Sequence, residues 1–194
     1  VNLVTSEDKT EVMQALSALL LARFPSITTI VNNITDRKSQ VAIGDYEKVY
    51  YGSGFITEKV GQQTYKVSAN SFFQTNTMQA ESLYDTAASL AELKSDDIVL
   101  DLYSGTGTIA LHMADRVSEV VGIELVESAI EDARKNALMN QAANCTFVLG
   151  DLKNKLTKDT KWLSNHAKPT VMVIDPPRSG MHEEIVLEIA LLQP

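Results

Sequence analysis

Four short segments carry residue types suited to chemistry, and each stands where an apolar run gives way to a polar turn. The first is Asp101-Leu102-Tyr103-Ser104-Gly105-Thr106-Gly107-Thr108. Two glycines at a turn that opens into a helix let the backbone approach a ligand closely and aim the helix N-terminus at it. Gly105, Gly107 and Ala110 also satisfy a loose G-x-G-x-x-A pattern, so a dinucleotide site stays open. Asp101 points to a different ligand: a carboxylate is awkward beside a pyrophosphate and useful beside a cationic or amino-bearing group. S-adenosylmethionine carries both a sulfonium and an ammonium. Glu124 ends the second apolar run, where a carboxylate can accept hydrogen bonds from the ribose hydroxyls of an adenosine cofactor. Asp151 follows the third run, within reach of an adenine amino group or, equally, as a helix N-cap. The fourth segment is Asp175-Pro176-Pro177-Arg178-Ser179-Gly180. Consecutive prolines fix two φ angles and remove two N–H donors, which leaves a stiff, acceptor-rich turn suited to a planar base. A rigid loop ended by glycine is its plainer reading.

The runs ahead of these turns, 98–102, 120–123, 146–149 and 171–174, are apolar but for Asp101 and Thr146, and helical patterns at 108–114, 126–139 and 153–164 separate them. A last helix begins near Met181. That alternation is what a parallel sheet covered on both faces requires. The expectation is a doubly wound, Rossmann-like α/β domain over 68–194 whose ligand sits at the carboxyl ends of its strands. A helix over 77–93, with Ala80, Leu83, Tyr84, Ala87 and Leu90 on one face, leads into it, and Asn76 and Gln79 have capping-box spacing. Residues 1–67 read as a small α+β domain. Its helix puts Val12, Leu16, Leu19 and Leu20 on one face and stops at Pro25; short strands follow at 27–31, 40–43, 48–51, 54–57 and 64–67. The turn Asp36-Arg37-Lys38 separates two of them.

The 194 residues carry 17 basic and 25 acidic side chains, a net charge of −8, which is the wrong sign for a free-standing nucleic-acid binder. No apolar run is long enough for a membrane span and no secretory leader is visible, so a cytoplasmic location is expected. With Cys145 as the single cysteine and His112, His166 and His182 scattered, no disulfide and no metal site are expected. The opening at Val1 and the close at Leu192-Gln193-Pro194 suggest a fragment.

Ser71-Phe72-Phe73-Gln74-Thr75-Asn76, Asp101 to Gly107, Gly122-Ile123-Glu124 and Asp175 to Gly180 occur in the order and spacing of one family. The chain resembles the S-adenosylmethionine-dependent RNA (uracil-5-)-methyltransferases, most closely over 68–182. The glycine motif is generic to methyltransferases; Phe-Phe-Gln-x-Asn with Asp-Pro-Pro-Arg is more specific. The resemblance implies S-adenosyl-L-methionine as cofactor, RNA as partner, ribosomal ahead of transfer RNA, and no membrane. It implies that Gln74, Tyr103, Glu124 and Asp175 contact the cofactor or line its cleft, beside Asp101, Gly105, Gly107, Thr108 and Asp151. Thr108 stands where the family often has Asn. Pro176 and Arg178 are the expected substrate contacts. The family adds a cysteine thiolate to C6 of uracil so that C5 can attack the methyl group, after which a glutamate removes the C5 proton. Both residues are expected beyond Pro194, so no catalytic residue is expected in this chain and it is expected to be inactive alone. Cys145, with no basic neighbour, reads as a small buried hydrophobe rather than that nucleophile. A base-amino methyltransferase, an NAD-dependent oxidoreductase and a non-catalytic interaction module are the alternatives.

Overall fold

The computed structural model describes residues 1–36, 44–157 and 160–192 and divides into two compact units. The strand expected at 40–43, Arg37 and Lys38 lie outside the described residues.

The first unit, Val1–Thr57 with Lys66–Ser71, contains β1 (Asn2–Thr5), α1 (Thr10–Arg23), β2 (Ile30–Ile34) and β3 (Tyr46–Tyr51). The strands form one sheet in the order β1-β2-β3, with β1 parallel and β3 antiparallel to β2. Strand β1 was not legible because four residues at the chain start show no turn signal ahead of them. Helix α1 buries Met13 and Ser17, while Val12 and Leu19 are exposed, which corrects the expected face. Alanines complete the circle that the leucines leave open, so the apolar stripe has no sharp centre, and packing against β3 selects the rotation. β4 (Phe55–Val60) and β5 (Gln63–Ser68) pair as a hairpin turned at Gly61, whose φ is +58°. The division between units runs across both strands.

The second unit, Glu58–Tyr65 with Phe72–Pro194, carries α2 (Thr77–Leu90), β6 (Ile98–Leu102), α3 (Thr108–Met113), β7 (Glu119–Glu124), α4 (Glu127–Met139), β8 (Cys145–Leu149), α5 (Leu152–Thr157), β9 (Val171–Ile174) and α6 (Glu183–Leu192). Its four strands are all parallel, in the order β8-β7-β6-β9. This is the Rossmann-like α/β architecture: the chain steps outward from β6 to β8, then crosses back to place β9 on the other side of β6. Period-two alternation sends Leu100 and Leu102 to one face and Val99 and Asp101 to the other. On the first face they pack with Val121, Ile123, Leu152, Leu156, Trp162 and Ile185. Helices α3 and α4 contact the strands and α2 packs on α3. Asn76 caps α2 by accepting from the Gln79 N–H at 3.2 Å. Of the face expected for α2, Ala80 and Tyr84 are buried with Ala88, but Leu83 and Leu90 are exposed. The helix expected over 153–164 is interrupted: α5 ends at Thr157 and a 3₁₀ turn spans Thr160–Asn165. No helix among the described residues is long and apolar enough to cross a membrane.

Candidate functional site

Because β6, β7, β8 and β9 run parallel, the turns that follow them emerge at one edge of the sheet. That edge collects Tyr103, Gly105, Gly107 and Thr108 after β6, Glu124 at the end of β7, Asp151 after β8, and Asp175, Pro176 and Arg178 after β9. The order reverses between β6 and β9, the topological switch point where open α/β sheets leave a crevice.

The glycine loop is built under constraint. Tyr103, Gly105 and Gly107 all have left-handed backbone, with φ of +66°, +54° and +80°. For Tyr103 this costs about 1–2 kcal/mol; its half-buried ring recovers part of that by packing against the core cluster. Burial pushes the Tyr103 phenol up, and the charge of Asp151 adds to the shift. Gly107 has no room for a side chain: a Cβ would stand 2.7 Å from Phe147 Cζ and 3.3 Å from Ala133 Cβ. Gly105 is the opposite case, with nothing within 4 Å of the same position, so a ligand can come close to its backbone. Side chains from outside the motif secure the loop. Asn136, fully buried on α4, donates to the Thr106 carbonyl at 3.1 Å. Tyr65 donates to the Thr108 carbonyl at 3.3 Å, and Tyr84 pairs with the Thr108 hydroxyl at 3.2 Å.

Glu124 is half-buried, and its carboxylate accepts from the N–H groups of Gly105 (3.0 Å), Leu125 (2.8 Å) and Val126 (2.8 Å). Asp101 lies beneath the loop, 1% exposed, opposite Gly122 on β7 and Val173 on β9. Neither of its oxygens has a hydrogen-bond partner. Burial pushes its carboxyl up to about 8; the nearby Ala110 N–H pulls down, and the charges of Asp175 and Glu124 push up. Burial also raises the Tyr84 phenol, its bond to Thr108 lowers it, and the charges of Asp175 and Asp101 raise it further, so the two strand-end acids and Tyr84 share one neighbourhood. Ser104 and Thr106 are likewise buried, with hydroxyl oxygens lacking partners.

Asp151 accepts from the Asn154 N–H at 3.3 Å, the helix N-cap role, and its side chain stays exposed. Asp175 and Arg178 are exposed, Pro176 is half-buried, and the Pro177 carbonyl closes the turn onto the Gly180 N–H at 2.8 Å. Gln74 is half-buried in the extended segment before α2. Its neighbour Phe73 lies 5.8 Å from the Tyr65 ring, which links this motif to the start of α3. Sequence reasoning placed Tyr84 on the apolar face of its helix but not against Thr108, and did not find Tyr65 or Asn136. Their only signal was a polar group inside an otherwise apolar stripe, and their partners are main-chain or hydroxyl groups far along the chain.

Cys145, expected to be buried, is half-buried where it opens β8, at the opposite end of that strand from the ligand edge. Burial pushes its thiol up to about 12, and Asp101 adds to the shift, so it stays protonated. The histidines have structural partners: His112 with Asp85 at 2.9 Å, His166 with Glu119 at 2.5 Å, and His182 accepting from the Glu184 N–H at 3.3 Å. Among the described residues no cluster of three or more His, Cys, Asp or Glu could hold a metal ion.

Residues 93–168 match the family model described as a methyltransferase domain. The chain is 46% identical, over its full length and 40% of the relative, to an uncharacterized RNA methyltransferase of Chlorobaculum tepidum. It is 42% identical, over 97% of the chain and 41% of the relative, to an uncharacterized RNA methyltransferase of Streptococcus agalactiae. The chain thus spans about two fifths of these curated relatives. Among solved structures, the Pyrococcus abyssi tRNA (uracil-54, C5)-methyltransferase in complex with S-adenosyl-L-homocysteine is similar with a TM-score of 0.72 and 30% identity, over all of this chain and 44% of that one.

Proposed function

We propose that this chain is the cofactor-binding part, with an adjoining α+β unit, of an RNA methyltransferase that methylates C5 of uridine with S-adenosylmethionine as donor. The observation that carries the reading is the convergence, at the switch point of a parallel sheet, of an open glycine loop, a pre-oriented Glu124 carboxylate and the Asp-Pro-Pro-Arg turn. The similarity to RNA methyltransferases and to a tRNA uracil-C5 enzyme supports it.

The residues present fit the donor. Gly105 leaves open space beside its backbone, and Glu124 offers an acceptor of fixed orientation for a ribose hydroxyl. Tyr103, Gly107, Thr108 and Gln74 would frame the cofactor, Asp151 would meet the adenine edge, and Asp175 with Pro176 and Arg178 would border the base to be modified. Asp101 acts from beneath the loop, where a ligand cation favours its ionised form. When bound, S-adenosylmethionine supplies an electrophilic methyl group. Because the Cys145 thiol is protonated and remote from this edge, addition to the pyrimidine belongs to residues outside this chain.

A calorimetric titration with S-adenosylhomocysteine, repeated on Glu124→Ala and with NAD as control, tests the cofactor. Binding that weakens in the variant and is absent for NAD is expected; binding of NAD alone would move the protein to the oxidoreductases. Product mapping with the full-length protein on ribosomal and transfer RNA should yield 5-methyluridine, and an N-methylated base would overturn the C5 assignment.

A further inference from the structure

We propose that Glu124 is a positioning residue as well as a ligand acceptor: its carboxylate fastens the glycine loop in the form that receives the cofactor. For its ligand this rests on the S-adenosylmethionine reading above; for the latch it rests on geometry. The loop is pinned on either side of Gly105, by Ser104 N–H donating to the Ile123 carbonyl at 3.0 Å and by Asn136 donating to the Thr106 carbonyl at 3.1 Å. Between those pins, the Gly107 N–H closes a turn onto the Ser104 carbonyl at 2.9 Å, and Gly105 sits inside that turn at a left-handed φ of +54° with no neighbour wedging it from its Cβ side. Its N–H donates to Glu124 Oε2 at 3.0 Å. The other carboxylate oxygen is clamped in turn by the N–H groups of Leu125 and Val126, both at 2.8 Å. The latch therefore has a rigid base, set by two amides of its own chain segment. A carboxylate offers about four lone-pair sites, so three amide donors leave capacity for a ribose hydroxyl without releasing the loop.

Removing the carboxylate takes away two separate things: an acceptor for the sugar and the anchor of Gly105. If Glu124 served the sugar alone, a ligand without ribose hydroxyls would be blind to the mutation. If it also holds the loop, that ligand too would bind more weakly, because the loop must be ordered at the moment of binding.

Wild type, Glu124→Gln and Glu124→Ala are titrated by calorimetry with S-adenosylhomocysteine and with its 2′,3′-dideoxy analogue. Hydrogen exchange of the Gly105 amide is followed in the same proteins without ligand, and thermal unfolding verifies that each is folded. We expect Glu124→Ala to weaken the dideoxy analogue about tenfold and to speed Gly105 exchange by about the same factor, as loss of one charge-assisted hydrogen bond implies. Glu124→Gln, which keeps one acceptor oxygen and the shape of the side chain, should fall between. Equal affinity of wild type and both variants for the dideoxy analogue, or unchanged Gly105 exchange, overturns the latch. A wild type that binds neither ligand removes the S-adenosylmethionine reading instead, and the ligand-free exchange still decides the latch.

Discussion

Asp101 is a carboxyl group sealed under a loop with no partner on either oxygen, and it should dominate the pH behaviour of the second unit. Folded, it holds its proton up to about pH 8; unfolded, it releases it near the ordinary 3.8. Between those values the native state binds more protons than the unfolded one, so this group makes stability fall as pH rises through that window. Thermal unfolding followed from pH 5 to pH 9 should show the decline, and Asp101→Asn should flatten it. A cation bound above Asp101 would reverse its preference. Binding of S-adenosylmethionine near neutral pH should therefore release a proton, visible as a dependence of calorimetric heat on buffer ionisation, and the release should vanish in Asp101→Asn. The two loop glycines make a second comparison. Gly105→Ala carries only the left-handed backbone cost, about 1 kcal/mol, whereas Gly107→Ala adds a clash with the Phe147 ring and should cost about 2–4 kcal/mol in a denaturant titration. The sequence showed both glycines and the acid. It could not show which glycine faces space and which faces a ring, because Phe147 enters from a strand forty residues on.

Elements outside the glycine motif set its geometry, and here the sequence was less legible. The four strands of the parallel sheet could be read because their runs are apolar almost throughout, and β6 and β7 at its centre are buried on both faces. Helix rotation could not: α1 and α2 carry leucines beyond their buried faces, and Val12, Leu19, Leu83 and Leu90 point outward. Nor could the polar clasps between elements. Asn140, the C-cap of α4, accepts from the Thr64 N–H at 2.9 Å and donates to the Thr64 carbonyl at 2.7 Å, imitating one rung of a strand ladder at the hairpin. Asn140→Ala leaves both Thr64 groups without this partner, should cost about 1–3 kcal/mol, and should raise exchange at the Thr64 amide more than at β6. Tyr84→Phe removes one hydroxyl bond to Thr108, and a loss of about 0.5–1.5 kcal/mol is expected in the same titration.

At the scale of the whole molecule, charge governs how the chain can meet its proposed substrate. A net charge of −8 repels a polyanion at long range, so affinity for RNA must come from a few local contacts and from base recognition at the strand-end edge. We take Lys59, Lys66 and Arg178 as the candidate phosphate contacts among the described residues, and Lys66 also lies 4.8 Å from the Phe55 ring centroid. For single-stranded RNA the logarithm of affinity falls against the logarithm of salt with a slope of about 0.7 per neutralised phosphate. Three contacts therefore set a ceiling of about 2 on the slope for this chain, measured by fluorescence anisotropy with a uridine-containing oligonucleotide from 50 to 200 mM salt, roughly the range over which a strongly basic binder loses several decades. A slope well above that ceiling would mean that an extended basic surface, invisible in the overall composition, carries the binding. A slope at or below it, together with exchange protection by S-adenosylhomocysteine confined to 103–108, 124–126, 150–151 and 175–180, would place the work of this chain at the cofactor edge. Most of the grip on RNA would then belong elsewhere in the full-length protein.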